Sequence, residues 1–465
     1  MVGVTRIAIV GGGPAGYEAA QVAAGLAAEV TLIESDGVGG ACVLYDCVPS
    51  KTLIATSERV TALRDAPDLG LSSTADVRVC LRQVNQRVRE LATSQSEDIR
   101  ARLVDAGVTL LSGRGRFAAE QAGRTFRVEV GGTGTVVEAD VVLLATGGTP
   151  RILPGAEPDG ERILSWRDIY GLTELPEHLI VVGSGVTGAE FASAYSEMGV
   201  PTTLVSSRQK VLPGEDPDAA DVIEQVFTSH GGMLMKQARA QAVKRTGDGV
   251  EVLLTDGRTV AGSHVLMCVG SVPNTEGLGL EHVGLQRTAA GFLDVDRVSR
   301  TAVPGIYAAG DCTGVLLLAS VAAMQGRVAM WHALGEAVQP LRLKTVAANV
   351  FTHPEIATVG VGHAAVSTGE VPARTVMLPL AGNARAKMQG VAEGFVKLYC
   401  RPATGVVVGG TVVAPAASEL IQPIAMAVQL GLTVNQLAAT FTVYPSISGS
   451  VTEAARQLMH HDDLG

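Results

Sequence analysis

Arg6-Ile7-Ala8-Ile9-Val10 runs straight into Gly11-Gly12-Gly13-Pro14-Ala15-Gly16, and the arrangement returns as Leu179-Ile180-Val181-Val182 before Gly183-Ser184-Gly185-Val186-Thr187-Gly188. Each copy is an apolar strand pattern, a G-x-G-x-x-G turn and a helix-like stretch rich in Ala and Glu. Each is followed by a second strand pattern, residues 29–34 and 201–206. This is the dinucleotide-binding βαβ unit, whose glycines permit a tight turn and let a pyrophosphate approach the helix N-terminus. Two copies in the required context separate the pattern from a chance glycine run.

Two later strand-ending turns also resemble each other. Residues 141–148 (Val-Val-Leu-Leu-Ala-Thr-Gly-Gly) and 265–270 (Val-Leu-Met-Cys-Val-Gly) each close one nucleotide-binding module. After the second, Gly270-Ser271-Val272-Pro273-Asn274 reads as a crossing back, and residues 305–311 form another apolar strand ending in Gly310-Asp311. The first module is therefore interrupted by the second. From about Ala347 the pattern changes to strands and hairpin turns (394–399 and 405–413) and a helix over 418–430. The expected fold is α/β, with two Rossmann-like dinucleotide-binding domains and a C-terminal α+β domain. The expected segments are 1–150 and 271–345 for the first domain, 151–270 for the second and 346–465 for the third.

Composition narrows the function. A chain of 465 residues with 47% hydrophobic and 18% charged residues suits several globular domains rather than a disordered or fibrous protein. A formal charge of −10 without a dense Lys/Arg stretch gives no footprint for nucleic acid or an anionic membrane. The richest apolar stretch, residues 315–330, is broken by Gln325, Gly326 and Arg327, so no membrane span is expected. The N-terminus enters the first strand without a signal-peptide pattern, so the expected location is the cytoplasm.

Cys80, Cys268, Cys312 and Cys400 are scattered singly and read as small buried or incidental thiols. Cys42 and Cys47 differ, lying close together in a glycine-bounded segment. Their spacing is not a zinc-ribbon CxxC and no second ligand pair accompanies it, so no metal site is expected. A local, reversible disulfide remains.

The segment Gly39-Gly40-Ala41-Cys42-Val43-Leu44-Tyr45-Asp46-Cys47-Val48-Pro49-Ser50-Lys51 resembles the GGxCxxxxCxPSK signature of the class I pyridine nucleotide–disulfide oxidoreductases, such as dihydrolipoamide dehydrogenase, glutathione reductase and mercuric reductase. Gly310-Asp311, Phe351-Thr352-His353-Pro354-Glu355 and Ala417-Ser418-Glu419-Leu420-Ile421 extend the resemblance over almost the whole chain. It implies an FAD domain, an inserted NAD(P)H domain and a C-terminal dimerisation domain, in a homodimer with its active site at the interface. It places Cys47 as the flavin-proximal thiol and Cys42 as the interchange thiol, with thiolate pKa values lowered by nearby positive charge and helix amides. Lys51 matches a lysine near flavin N5, and Glu190 the glutamate that pairs with it. For FAD the candidates are Gly11, Gly13, Pro14, Ala15 and Gly16. Glu34, 18 residues past Gly16, is placed to accept from a ribose diol. Asp311 resembles the acidic ligand of the ribityl and pyrophosphate portion. Gly115, Ala145, Thr146, Gly147 and Gly310 are weaker backbone candidates.

In the second repeat, Gly183, Gly185, Val186, Thr187 and Gly188 form the turn, Gly270 ends the module, and the position matching Glu34 is Ser206. Ser207 and Arg208 follow. A carboxylate here would repel a 2′-phosphate, whereas hydroxyls and a guanidinium bind it, so NADPH is favoured and NADH is the second candidate.

The C-terminal segment departs from the pattern. Members that reduce lipoamide or glutathione disulfide carry His-Pro-Thr with a Glu shortly after, but here the stretch is Tyr444-Pro445-Ser446-Ile447-Ser448-Gly449. An imidazole with pKa about 6.5 suits proton transfer to a thiolate near neutral pH, and a tyrosine near 10 does not. Mercuric reductases carry a tyrosine there but add a C-terminal cysteine pair, and this chain ends His460-His461-Asp462-Asp463-Leu464-Gly465. The chain thus looks like the quinone-reductase branch of the family, in which electrons leave the flavin directly. The alternatives are a disulfide or low-molecular-weight thiol reductase working through Cys42/Cys47, a pyridine nucleotide transhydrogenase, and a redox-sensing subunit that is reduced once and stops.

Overall fold

In the computed structural model, which describes residues 4–71, 77–121, 123 and 125–459, the first Gly-rich turn joins a strand, Arg6–Val10, to a helix, Pro14–Gly25. That strand lies centrally in a five-stranded parallel sheet. Glu29–Glu34 and then Thr109–Ser112 lie on one side, and Val141–Leu144 and then Ile306–Ala308 on the other. A three-stranded antiparallel sheet, Gly115–Phe117, Phe126–Val130 and Thr135–Ala139, comes between its third and fourth strands in sequence. Val141-Val142-Leu143-Leu144 is buried at every position, as expected of a parallel strand covered on both faces.

The second Gly-rich turn builds the same object. Leu179–Val182 is central, Thr202–Val205 and Met233–Met235 lie on one side, and His264–Met267 and Ile163–Ser165 on the other, all parallel. Its antiparallel insert is Ala240–Thr246, Gly249–Leu254 and Thr259–Gly262. The outer strand next to the closing one comes after the module in the first copy and before it in the second.

The turns agree in detail. Gly11 and Gly183 have φ of 105° and 109°, and a Cβ on either would stand 2.2 Å from a carbonyl oxygen, of Ala145 and Cys268 respectively. Gly16 and Gly188 sit in the first turns of their helices, where a Cβ would meet the carbonyl oxygens of Gly11 and Gly183 at 1.9 and 1.8 Å. Gly13 and Gly185 cap the helices with φ/ψ of −69°/−173° and −72°/−173°, and a Cβ there would meet nothing within 4 Å. The first and third glycines are thus demanded by backbone packing. Space over the middle one is open.

The C-terminal part is a five-stranded antiparallel sheet in the order Ala347–Val350, Glu355–Gly360, Val407–Ala414, Phe395–Cys400, Arg374–Pro379. Helices Gln422–Leu430 and Gly449–Gln457 contribute Ile424, Ala427, Val451, Ala454 and Ala455 to its core. The helix expected over 418–430 is two helices, Ala417–Leu420 and Gln422–Leu430. Pro423 stands in the first turn of the second, where its missing N–H costs nothing but cannot continue the preceding ladder.

By density of contacts the chain forms two compact units. One comprises residues 1–52, 85–151 and 270–342, and holds the first module. The other comprises 53–84, 152–269 and 343–465, and holds the second module with the C-terminal sheet. Among the described residues, no helix is long and apolar enough to cross a membrane.

The glycine geometry separates two substitutions that lie three residues apart in sequence but are opposite in consequence. Gly188→Ala should cost about 1–3 kcal/mol by overpacking, or more, whereas Gly185→Ala should leave thermal stability near wild type because its backbone suits alanine. Calorimetric melting of both variants checks this, and equal melting temperatures would contradict it.

Candidate active site

The cysteine segment is fitted against the first Gly-rich turn by its own two glycines. Gly39 donates its N–H to the Gly12 carbonyl at 2.8 Å, and a Cβ on Gly40 would stand 2.8 Å from the Gly13 Cα. Both adopt positive φ. Gly40–Leu44 and Cys47–Arg64 are helices, so Cys42 lies in a short helix and Cys47 opens a long one. Both cysteines are half-buried thiols that share a hydrogen bond. That hydrogen bond, burial, the paired Cys47 sulfur and the carboxylate of Asp46 push the Cys42 thiol well up, with Lys51 pulling it down. This reverses the expected lowering at Cys42. The expectation counted nearby positive charge and helix amides, and left out the hydrogen bond to Cys47 and burial, which outweigh them, with Asp46 adding to both.

Lys51 is half-buried in the same helix, its Nζ donating to Ser50 Oγ at 3.3 Å. Asp311 follows the Ile306–Ala308 strand and Gly310, whose N–H donates to the buried Gln325 side chain at 2.8 Å. The Asp311 carboxylate lies 3.8 Å from where a Cβ on Gly148 would stand. Burial, then the charge of Asp46, raises its pKa to about 6. Among the described residues no donor reaches that carboxylate, so hydroxyl donors from a ribityl chain would suit it. Ala145, Thr146 and Gly147 leave the Val141–Leu144 strand, and Asn274 holds this turn through N–H to the Gly147 carbonyl and side-chain amide to the Thr146 carbonyl. Gly115 has a packing reason, since a Cβ there would stand 2.9 Å from Val10 Cγ1.

Glu34 accepts from the Gly12 N–H at 2.6 Å and the Asp36 N–H at 2.7 Å, which aims the carboxylate at the Gly-rich turn. In the second module each partner has a counterpart. Ser206 Oγ bonds Ser184 Oγ at 2.6 Å and accepts from the Arg208 N–H at 3.1 Å. Ser206 replaces Glu34, Ser184 replaces Gly12 and Arg208 replaces Asp36. Ser206 is 1% exposed, so its hydroxyl shapes the turn, while Ser207 and Arg208 present exposed side chains beside it. Pro14, Ala15, Val186 and Thr187 form the first turns of the two helices. Gly270 has φ of 94° and accepts from the Arg151 N–H at 2.9 Å.

Glu190 is 3% exposed on the helix Val186–Glu197 and accepts from the Phe351 N–H at 2.9 Å. The Phe351-Thr352-His353-Pro354-Glu355 motif therefore fixes a buried carboxylate of the second module. Its Glu355 in turn accepts from the Ser418 N–H at 2.8 Å, joining two motifs far apart in sequence. Tyr444 is 87% exposed, next to Val443 at 78% and Phe441 at 102%. The segment 460–465 lies outside the described residues.

Sequence profiles agree with this anatomy. The profile described as pyridine nucleotide-disulphide oxidoreductase matches residues 5–326, and that of the dimerisation domain of the same family matches residues 346–455. The chain belongs to this family. Membership makes it a flavoprotein oxidoreductase that uses a pyridine nucleotide. A Mycobacterium tuberculosis protein named NAD(P)H dehydrogenase (quinone) is 61% identical over 469 residues, spanning 99% of this chain and 95% of that protein. A dihydrolipoyl dehydrogenase of Chlorobaculum tepidum is 32% identical, spanning 97% and 96%. The crystal structure of LpdA from M. tuberculosis superposes with a TM-score of 0.94 at 60% identity, covering 98% of this chain and all of that one.

With Asp311 as the acceptor for FAD hydroxyls that the family resemblance implies, its raised pKa gives FAD binding an expected pH dependence. Hydroxyl donors favour the charged carboxylate, so binding displaces a proton whenever the free protein is protonated, which happens as pH falls below about 6. FAD affinity should therefore be level above pH 7 and fall by up to about tenfold per pH unit below 6. Asp311→Asn should flatten the profile and weaken binding about 10–100-fold at pH 7. Fluorescence titration of apoprotein with FAD checks both, and an unchanged pH profile in the variant would remove Asp311 from the site.

Proposed function

We propose that this oxidoreductase takes hydride from NADPH, or less efficiently NADH, onto FAD and passes the electrons to a quinone or similar small acceptor. The observation that carries the reading is Tyr444 with Gly449, standing where disulfide-reducing relatives carry an imidazole and its carboxylate. The name of the M. tuberculosis relative supports the acceptor class.

FAD supplies two-electron acceptance and release when bound. The chain's part is to seat it. In this reading the open face over Gly13 and the N-terminus of Pro14–Gly25 receive the pyrophosphate, Glu34 the ribose and Asp311 the ribityl hydroxyls. Gly185 and the N-terminus of Val186–Glu197 receive the nucleotide pyrophosphate, and the exposed Ser207 and Arg208 the 2′-phosphate. Lys51 stabilises negative charge on the flavin side, and Glu190 positions nicotinamide. The Cys42 thiol, held protonated by its partner and by Asp46, is a poor nucleophile as it stands. That favours electron release without the disulfide.

The three-domain division, with boundaries near 150, 270 and 345, belongs to the same reading. A homodimer completes it: the exposed Phe441, Val443 and Tyr444 form the surface a second copy covers, in the part of the chain matched by the dimerisation profile. The location is cytoplasmic. A disulfide reductase is the second reading, because Cys42 and Cys47 are within hydrogen-bond reach of each other.

One steady-state panel tests this. Purified protein and Arg208→Ala are assayed with NADPH and NADH against quinones, lipoamide, glutathione disulfide and Hg(II). Quinone turnover should dominate, and the variant should lose about 1.5–3 kcal/mol of kcat/KM for NADPH with little change for NADH. Lipoamide or glutathione disulfide rates matching those of quinone would overturn the acceptor, and equal losses with both nucleotides would overturn the 2′-phosphate role.

A further inference from the structure

Lys397 is the one charged residue in the strand Phe395–Cys400, and it is 2% exposed. Its Nζ donates to both carboxylate oxygens of Asp216, at 2.8 and 2.7 Å, and to Asp218 Oδ2. Tyr399, two residues on and on the same face of the strand, donates its hydroxyl to Asp216 at 3.1 Å. Asp216 and Asp218, with His363, could offer a cation three ligand atoms. The position between the two carboxylates is filled by the Lys397 ammonium, which also holds the Asp218 carboxyl below the usual range.

The carboxylate that Lys397 holds is the N-cap of the helix Pro217–Ser229, accepting from the Asp218 N–H at 3.0 Å. It is also the end of the loop that starts at Ser206. Four other points of that loop are held by the second module itself. Ser206 and Arg208 carbonyls accept from Ala238 and Gln237, Val211 donates to Glu224 at 2.9 Å, and Leu212 donates to the Ser184 carbonyl at 2.7 Å. Leu212 is buried with φ of 49°, a conformation kept only where surrounding contacts over-determine it. Ser184 is the second residue of the Gly-rich turn, so this bond ties the loop to the turn. The far anchor comes from the C-terminal sheet.

We propose that Lys397 is a positioning residue for the nicotinamide nucleotide: from the C-terminal sheet it clamps Asp216 and so sets the Ser206–Asp216 loop against the Gly-rich turn Gly183–Gly188. The nucleotide touches neither Lys397 nor Asp216; it touches the loop and turn they hold. The proposal rests on the reading that the second module binds pyridine nucleotide.

Calorimetric binding of NADP+ and of NAD+ to the FAD-loaded protein tests it, with FAD content and kcat at saturating NADPH measured alongside. Lys397→Met should raise both dissociation constants about tenfold or more, since it unpairs a buried carboxylate, while FAD content and kcat stay within about twofold. Lys397→Arg, which keeps the charge, should recover binding to within about threefold of wild type. Dissociation constants within about twofold of wild type in folded, FAD-loaded Lys397→Met would overturn the proposal. Should that variant not fold, Asp218→Asn decides, because it removes only the more exposed arm of the clamp. It should weaken both nucleotides about threefold, and unchanged binding would overturn the proposal. Failure of wild type to bind either nucleotide would instead sink the assignment of the module.

Discussion

At Gly16 and Gly188 a single methyl group would collide with the carbonyl oxygen of the first glycine of the turn, at 1.9 and 1.8 Å. That contact brings the helix start hard against the end of its strand. It leaves Gly13 and Gly185 with open space above them and turns the first helical N–H groups toward it. Other parts of the first unit are referred to this turn. Gly39 and Gly40 seat the cysteine segment on Gly12 and Gly13, Glu34 bonds back to Gly12, and the Ala145 carbonyl closes over Gly11. In the second unit Ser206 and Leu212 bond back to Ser184, and the Cys268 carbonyl closes over Gly183.

The two modules share a scaffold and differ in charge. Ser206 stands for Glu34 and Arg208 for Asp36, with two corresponding bonds holding each turn, and in the proposed reading this exchanges a preference for a bare ribose diol for tolerance of a phosphate. A second electrostatic asymmetry lies at the cysteines. Asp46 raises both Cys42 and Asp311, so the dithiol carries a local negative charge that disfavours a second thiolate. Lys51 is the charge that pulls the other way.

Much of this was legible in the sequence because short-range patterns carry it. The strands Arg6–Val10 and Leu179–Val182 follow from apolar runs that end at glycine, and Glu29–Glu34 from the apolar run of the same repeat. The cysteine motif and Tyr444 are local strings. What escaped depends on neighbours distant in sequence or on burial. Ser206 faces inward onto Ser184, a contact that no local string announces. The Cys42 shift comes first from its hydrogen bond to Cys47 and from burial, with Asp46 adding to it, and none of these has weight until the segment is folded. Lys397 meets Asp216 across 181 positions. Its one signal was a lysine in the otherwise uncharged strand Phe395-Val396-Lys397-Leu398-Tyr399-Cys400, a pattern that marks either an edge or a buried ion pair.

The central claim is that electrons leave this protein from the flavin and not through the outer sulfur. Turnover of Cys42→Ser with NADPH and a quinone tests it most directly. The account predicts that the variant keeps FAD and at least about half of the wild-type kcat, since no acid–base or nucleophilic step of the quinone reaction would use Cys42. A loss of about 10²-fold or more, the scale of removing a group that takes part in proton transfer or nucleophilic attack, would contradict it and put the disulfide on the electron path.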